Sequence, residues 1–107
     1  MSLERIIIAL VNLGLTRMDA EVYVYLAKKG SMRAIALASA LNYTKNQIYT
    51  SLRRLTTKEL VTKNGKLFSS IPFEEALELL ISKHEEQKKI LEQNKEKLLA
   101  GWKKEGN

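Results

Sequence analysis

The sequence predicts a mainly α-helical chain with a small β-hairpin: a winged helix-turn-helix followed by a long C-terminal helix for dimerisation. Three observations carry that expectation. Apolar residues recur at helical spacing in two short segments joined by a turn of about three residues around Asn42. Asn64-Gly65 stands between the β-formers Val61-Thr62-Lys63 and Lys66-Leu67-Phe68. Leu77, His84, Leu91 and Leu98 recur every seven residues, the period of a helix that pairs with another.

Each element has its own local reason. Ser2 can cap a first helix over residues 3–13, which Gly14 ends as a residue free to adopt positive φ. Leu3, Ile6, Ile7, Ile8, Leu10, Val11 and Leu13 point nearly all round that helix, so it must be covered on more than one side. Part of this surface, with Ile7 and Leu10, is read as a subunit interface; the alternative is one greasy core helix. Thr16 followed by Asp19 gives a capping signal for a second helix reaching Lys29 and closed by Gly30. Ala20, Val22, Tyr23, Leu26 and Ala27 form its inner face. Ser31 is expected to cap a third helix through Ala34, Leu37, Ala38 and Leu41, with Asn42 as a left-handed stop. Thr44 and Gln47 make a capping box for a fourth helix from Lys45 to Thr57. Asn64-Gly65 then predicts a type I′ turn, which needs positive φ at both central positions.

Pro72 marks the start of a last helix over residues 73–104, with Glu74 and Glu75 in its first turn complementing the macrodipole. Leu80 joins the seven-residue stripe as a second seam position, but its successors Gln87, Asn94 and Gly101 are polar or empty, and a neighbouring stripe ends at Trp102. The helix either pairs weakly with a second copy or is a solvated helix held by Glu-Lys pairs, and pairing is the favoured reading. Residues 1–72 are expected to form the winged helix-turn-helix domain and 73–107 the dimerisation helix. The dimerisation set is Ile7, Leu10, Leu77, Leu80, His84, Leu91, Leu98 and Trp102.

Composition limits the chemistry. The chain has 107 residues, a net charge of +6 and no cysteine, so it holds one domain, no disulfide and no thiolate zinc site. The longest apolar run, Ile6–Val11, falls far short of the roughly 20 residues that span a bilayer. The start Met-Ser-Leu-Glu carries no basic leader. A soluble, cytoplasmic protein is expected.

The charge is unevenly placed. Residues 31–72 hold seven basic side chains (Arg33, Lys45, Arg53, Arg54, Lys58, Lys63, Lys66) against the single acid Glu59, while the flanking segments nearly balance. Such a segment repels itself and is tolerated mainly where a polyanion supplies the counter-charge. On a wheel of about 100° per residue, Ile48, Leu52 and Leu55 of the fourth helix face inward and Asn46, Thr50, Arg53 and Thr57 face outward. The outward groups are amides, hydroxyls and a guanidinium, which exchange hydrogen bonds with base edges and phosphates. An ordinary solvated face is the bland alternative, and the lack of acids argues against it. Arg53 and Asn46 are assigned to base edges. Thr44, Lys45, Arg54, Lys63 and Lys66 are assigned to phosphate, Arg33 stands near a helix start that attracts phosphate, and Gln47 and Thr50 stay open between the two roles. Tyr43 and Tyr49 are expected in or beside the core.

The run Leu13-Gly-Leu-Thr-Arg-Met-Asp-Ala-Glu-Val-Tyr, then Gln47-Ile-Tyr-Thr-Ser-Leu-Arg-Arg-Leu, Lys58-Glu-Leu-Val and Ile71-Pro-Phe-Glu-Glu-Ala-Leu, resembles the winged helix-turn-helix domain of TrmB-like transcriptional regulators, found mostly in archaea. The similarity covers about residues 10–82. It implies DNA binding and a dimer through the terminal helices. Family members typically carry a further sugar-binding domain after the long helix; the sequence stops at Asn107, so sugar sensing is not implied. The family often has Gly where this chain has Glu59. A left-handed Glu is strained, so either the turn differs or strain is borne.

Other classes fare worse. His84 is the one histidine, in a helical seam among charged neighbours, and no glycine-rich phosphate loop, nucleophile elbow or metal-ligand spacing occurs. An enzyme, a metal, a cofactor, a membrane partner and a small-molecule ligand are therefore not expected. The expected function is a sequence-specific, double-stranded DNA-binding transcriptional regulator acting as a homodimer. The rival is a winged helix serving as a protein-protein interaction subunit of a larger assembly, since folds are reused; a docking wing would show apolar side chains rather than Lys63, Asn64 and Lys66. Single-strand or RNA binding would call for exposed aromatics.

Overall fold

The computed structural model of the chain describes residues 2–105, so the expected outer bounds at residues 1 and 107 lie outside the described residues. Helix α1 (Leu3–Asn12) follows Ser2, whose backbone is extended as a cap requires but whose hydroxyl makes no capping bond. Leu10 is fully buried, while Leu3, Ile8 and Val11 stay exposed. One stripe of this apolar helix thus joins the core and another is left uncovered. Gly14, at φ 109°, turns the chain. Helix α2 (Arg17–Lys29) then starts from Thr16, whose side chain accepts from the Asp19 backbone N–H. Ala20, Val22, Tyr23, Val24 and Leu26 of α2 are buried, which makes it the centre of the core.

The next stretch departs from expectation. Ser31 does not cap the third helix. Met32–Arg33 form a short strand β1, paired antiparallel with Phe68 and Leu67, and helix α3 (Ala34–Leu41) begins only after Arg33. The ladder supplies backbone partners close to the helix start, where a side-chain cap had been expected. Asn42 closes α3 in the left-handed region, at φ 60° and ψ 40°. Helix α4 (Lys45–Thr57) starts from the complete capping box of Thr44 and Gln47.

At the other end of α4 the Leu60 N–H bonds the Leu55 carbonyl and the Glu59 N–H bonds the Thr56 carbonyl, both at 3.0 Å. This reciprocal closure needs a left-handed residue just past the helix. Glu59 supplies it at φ 64°, so the strain is borne. Strands β2 (Val61–Asn64) and β3 (Leu67–Ser70) form the hairpin, in a sheet of order β1-β3-β2. Asn64 pairs with Leu67, so the turn residues are Gly65 and Lys66, one position later than expected. Gly65 alone of the turn has positive φ, 64°; that is the sign pattern of a type II′ turn. It puts the left-handed residue on glycine, where it costs little, and spares Asn64.

Helix α5 (Phe73–Gln93) follows Pro72. Ala76 and Leu80 are buried and Leu77 packs half-buried against the core, so the compact domain reaches residue 80. Beyond it every described residue of the C-terminal segment is exposed. The long helix is not continuous. Asn94 interrupts it at φ −103° and ψ 7°, its Nδ2 donating to the Ile90 carbonyl at 2.9 Å, and helix α6 (Lys95–Glu105) follows. An asparagine amide that takes a helical carbonyl competes with the ladder at that position. Of the expected dimerisation set, Leu10 and Leu80 are buried in the chain's own core, Ile7 and Leu77 are half-buried against it, and His84, Leu91, Leu98 and Trp102 are exposed. No helix among the described residues is long and apolar enough to cross a membrane.

Candidate nucleic-acid interface

Helix α4 divides cleanly. Ile48, Ser51, Leu52 and Leu55 are buried against the core, and Asn46, Thr50, Arg53 and Thr57 face solvent. The structure therefore brings the expected base-reading residues Asn46 and Arg53, with Thr50, to one outward side. The capping box restricts two neighbours. Gln47 Oε1 accepts the Thr44 N–H at 2.9 Å, and Thr44 Oγ1 accepts the Gln47 N–H at 3.1 Å. The Gln47 amide NH2 is left to donate to an incoming ligand, while Oε1, already accepting one bond, is held in place by the cap.

Beside that side lies a cleft of about 360 Å³ lined by Arg33, Ala34, Ile35, Lys45, Tyr49, Lys63, Lys66 and Phe68. Four cations from four places in the sequence converge here: the last residue of β1, the first of α4, a residue of β2 and the turn. β1 makes this possible, because pairing Arg33 with Leu67 anchors the start of α3 to the hairpin. Lys63 Nζ lies over the Phe68 ring, 5.6 Å from its centre, so the ammonium is held against the aromatic face by a cation–π contact. No acid lines the cleft, so the positive potentials add without local cancellation.

Arg54 is elsewhere. Its Nε donates to Asp19 Oδ2 and its Nη2 to Asp19 Oδ1, both at 2.8 Å, on the flank of α4 that faces α2. Asp19 is 1% exposed and also accepts from Ser51 Oγ at 2.6 Å. Burial pushes the Asp19 carboxyl up, but the bonds from Arg54 and Ser51 outweigh it and hold the group below the usual carboxylate range. The guanidinium assigned to phosphate is thus committed to an internal carboxylate. The sequence carried a signal for this: Asp19 lies on the inner stripe with Tyr23 and Leu26, where an acid requires a cation. A second network links α1, α2 and the turn before α4. Arg17 donates to Glu4 at 2.8 and 2.6 Å and approaches Glu21 at 3.3 Å, and the Tyr43 hydroxyl donates to Glu21.

Tyr49 differs from expectation too. Tyr43 is half-buried, but Tyr49 is 43% exposed on the cleft side of α4. Position on the wheel alone could not separate core flank from rim. His84, Leu91, Leu98 and Trp102 lie on the exposed distal part of α5 and on α6, remote in sequence from the cleft. Among the described residues no group of His, Cys, Asp or Glu could hold a metal ion.

The family model described as sugar-specific transcriptional regulator TrmB matches residues 10–74. No curated protein matches the chain. Among solved structures, that of TrmBL2, described as an archaeal chromatin protein with a novel mode of DNA binding, is similar with a TM-score of 0.76 and 24% identity; the match covers 96% of this chain and 42% of that one. A possible transcriptional regulator from Methanosarcina mazei Go1 is similar with a TM-score of 0.54 and 17% identity, over 89% of this chain and 82% of that one. The chain thus spans less than half the length of the TrmBL2 structure, and at these identities the likeness concerns the fold. With the helix-turn-helix, the three-stranded wing and the match to residues 10–74 together, the chain belongs to the TrmB family of transcriptional regulators.

Proposed function

We propose that this chain is a sequence-specific, double-stranded DNA-binding transcriptional regulator that acts as a homodimer. The observation that carries the reading is the outward side of α4 bearing Asn46, Thr50 and Arg53 beside an acid-free cleft ringed by Arg33, Lys45, Lys63 and Lys66. A phosphate strand running through the cleft would meet four cations and set the register, leaving α4 to present its amide and guanidinium to base edges in the major groove. Thr44 and Gln47 stand at the start of α4, where helix N–H groups also favour phosphate. The DNA-binding description of TrmBL2 supports this reading, as does the family. Arg54 is left out of the contact set because Asp19 already holds it.

The dimer reading rests on Leu91, Leu98, Leu99 and Trp102, which stand exposed on the distal α5 and α6. Two copies joined there would present two α4 helices to half-sites about one helical turn apart. The test is selection of bound duplexes from a random pool, with the mass of the free protein measured alongside. A recurrent two-fold motif and a dimeric mass are expected. A pool that shows no enrichment would reject sequence specificity, and a monomeric mass would reject the homodimer.

A further inference from the structure

Two apolar side chains among those lining the cationic cleft are exposed: Ile35 in the first turn of α3 and Tyr49 on α4. Exposed apolar groups gathered on a contact surface mark what that surface touches. Tyr49 is the one placed on α4 itself, between the cleft residue Lys45 and the outward residue Arg53, each four positions away along the same flank. Tyr23 and Tyr43 spend their hydroxyls on internal acceptors, Ile71 and Glu21. Tyr49 makes no such bond among the described residues, so its hydroxyl is not engaged by the fold. The surrounding charge selects a polyanion as the occupant, and the apolar group that duplex DNA offers in its major groove is the thymine 5-methyl.

We propose that Tyr49 is a specificity-determining residue that reads a thymine through its 5-methyl group, next to the bases contacted by Arg53 and Asn46. This rests on the DNA-binding reading above and adds a base identity to it. The ring edge would cover the methyl and remove it from water. Uracil keeps the same hydrogen-bonding edge but lacks the methyl, so the discrimination depends on apolar contact alone. An exposed position also means that shortening the side chain leaves the core intact.

The test uses the full chain and the duplex it selects from a random pool, with each thymine of the half-site replaced in turn by deoxyuridine. For the unsubstituted protein, one replacement should weaken binding about 4-fold, the equivalent of one methyl group left in water. Tyr49→Phe should keep that sensitivity, since the ring remains. Tyr49→Ala should bind more weakly and lose the thymine-uracil difference at that position only, with the other positions as internal controls. Indifference of the unsubstituted protein to every replacement overturns the assignment, as does equal sensitivity in Tyr49→Ala. A selected half-site without a fixed thymine, or a single strand that competes as well as the duplex, also overturns it. The thymine results leave duplex binding itself standing, whereas an equally competing single strand removes the preference for duplex as well. Failure to bind any duplex would instead remove the underlying reading together with this one.

Discussion

Asp19 and Arg54 form a two-pronged ion pair that fastens the rear flank of α4 to α2, Nε and Nη2 of Arg54 each donating at 2.8 Å to a different carboxylate oxygen. Ser51, one turn before Arg54, adds a third bond at 2.6 Å. The rotation of α4 about its own axis is therefore set by directional bonds as well as by Ile48, Leu52 and Leu55. That rotation decides which side chains face outward. A planar guanidinium is suited to the task, because a lysine could not engage both oxygens in a fixed plane.

Replacing Asp19 by Ala should destabilise the protein by about 3 kcal/mol, the scale for removing one partner of a buried pair. The partly exposed Arg54 keeps the expectation at the low end. The native carboxyl is held below its ordinary value, so its contribution is fully present above the unfolded-state pKa of about 4. It is lost as pH falls through the lower, native value. Denaturant titrations of the parent protein between pH 7 and pH 2 should show that loss, and Asp19→Asn should flatten this part of the profile. An Asp19→Asn profile with an unchanged acid limb would show that other carboxylates govern it.

Tyr23 governs the opposite limb. Its hydroxyl donates to the Ile71 carbonyl at 2.6 Å and ties the centre of α2 to the residue before Pro72. Burial, with a smaller contribution from the Glu75 charge, pushes its pKa up to about 12. A raised value in the folded state means stability that is complete below the ordinary tyrosine pKa of about 10 and is lost as pH climbs towards the native value. Tyr23→Phe should cost about 1 kcal/mol at neutral pH, the net worth of a hydrogen bond, and should reduce the alkaline loss. Stability measured from pH 7 to pH 12 checks both.

Glu59 is the position where the chain departs from a glycine-terminated helix. It holds φ 64° because the Leu60 and Glu59 amides close on Leu55 and Thr56. Glu59→Gly should stabilise the fold by about 1 kcal/mol, since the left-handed conformation costs a side chain more than that and glycine returns part of the gain as chain entropy. Thermal unfolding should shift upward by a few degrees. The same change removes the only acid between residues 31 and 72, so duplex affinity should rise at low salt and the gain should shrink as salt is added.

These residues show what the sequence could disclose. Capping at Thr16 and Thr44, the left-handed Asn42 and the acid-free outer side of α4 are local features, set by residues within a few positions of one another. The elements that differed depend on partners far along the chain. Strand β1 exists because Arg33 meets Leu67, and the turn at Gly65-Lys66 takes its register from the Asn64-Leu67 pair. The commitment of Arg54 lies in Asp19, thirty-five positions earlier. Leu10 and Leu80 read as seam residues because periodicity records which side of a helix is apolar, without saying which surface covers it.

Arg53 and Lys63 should separate by the kind of loss they cause. Arg53→Ala is expected to cost about 1–3 kcal/mol on the selected duplex and to relax discrimination at one position; Lys63→Ala should weaken all sequences alike and lower the salt slope by about 1. For the parent protein, raising salt from about 50 to 200 mM should cut affinity about 10³-fold or more if 6–10 phosphates are neutralised. Equal losses for Arg53→Ala on selected and random duplexes would take Arg53 out of base reading. A flat salt response would favour a wing that docks on protein.

Leu91 and Leu98 stand 60% and 56% exposed on either side of the Asn94 interruption, and Trp102 is 74% exposed beyond them. None of them supports the compact domain, which ends near Leu80. Leu91→Asp with Leu98→Asp should therefore leave thermal unfolding of the domain unchanged while placing like charges on both sides of the proposed seam. Trp102 is the sole tryptophan, so its emission should shift to the blue as the parent protein is concentrated and should stay unchanged in the double variant. Affinity for a duplex with two half-sites should fall about 10²-fold or more, because linked binding is lost, with single half-site affinity preserved. Loss of single half-site binding in the double variant would instead place these leucines in the fold of the DNA-binding unit.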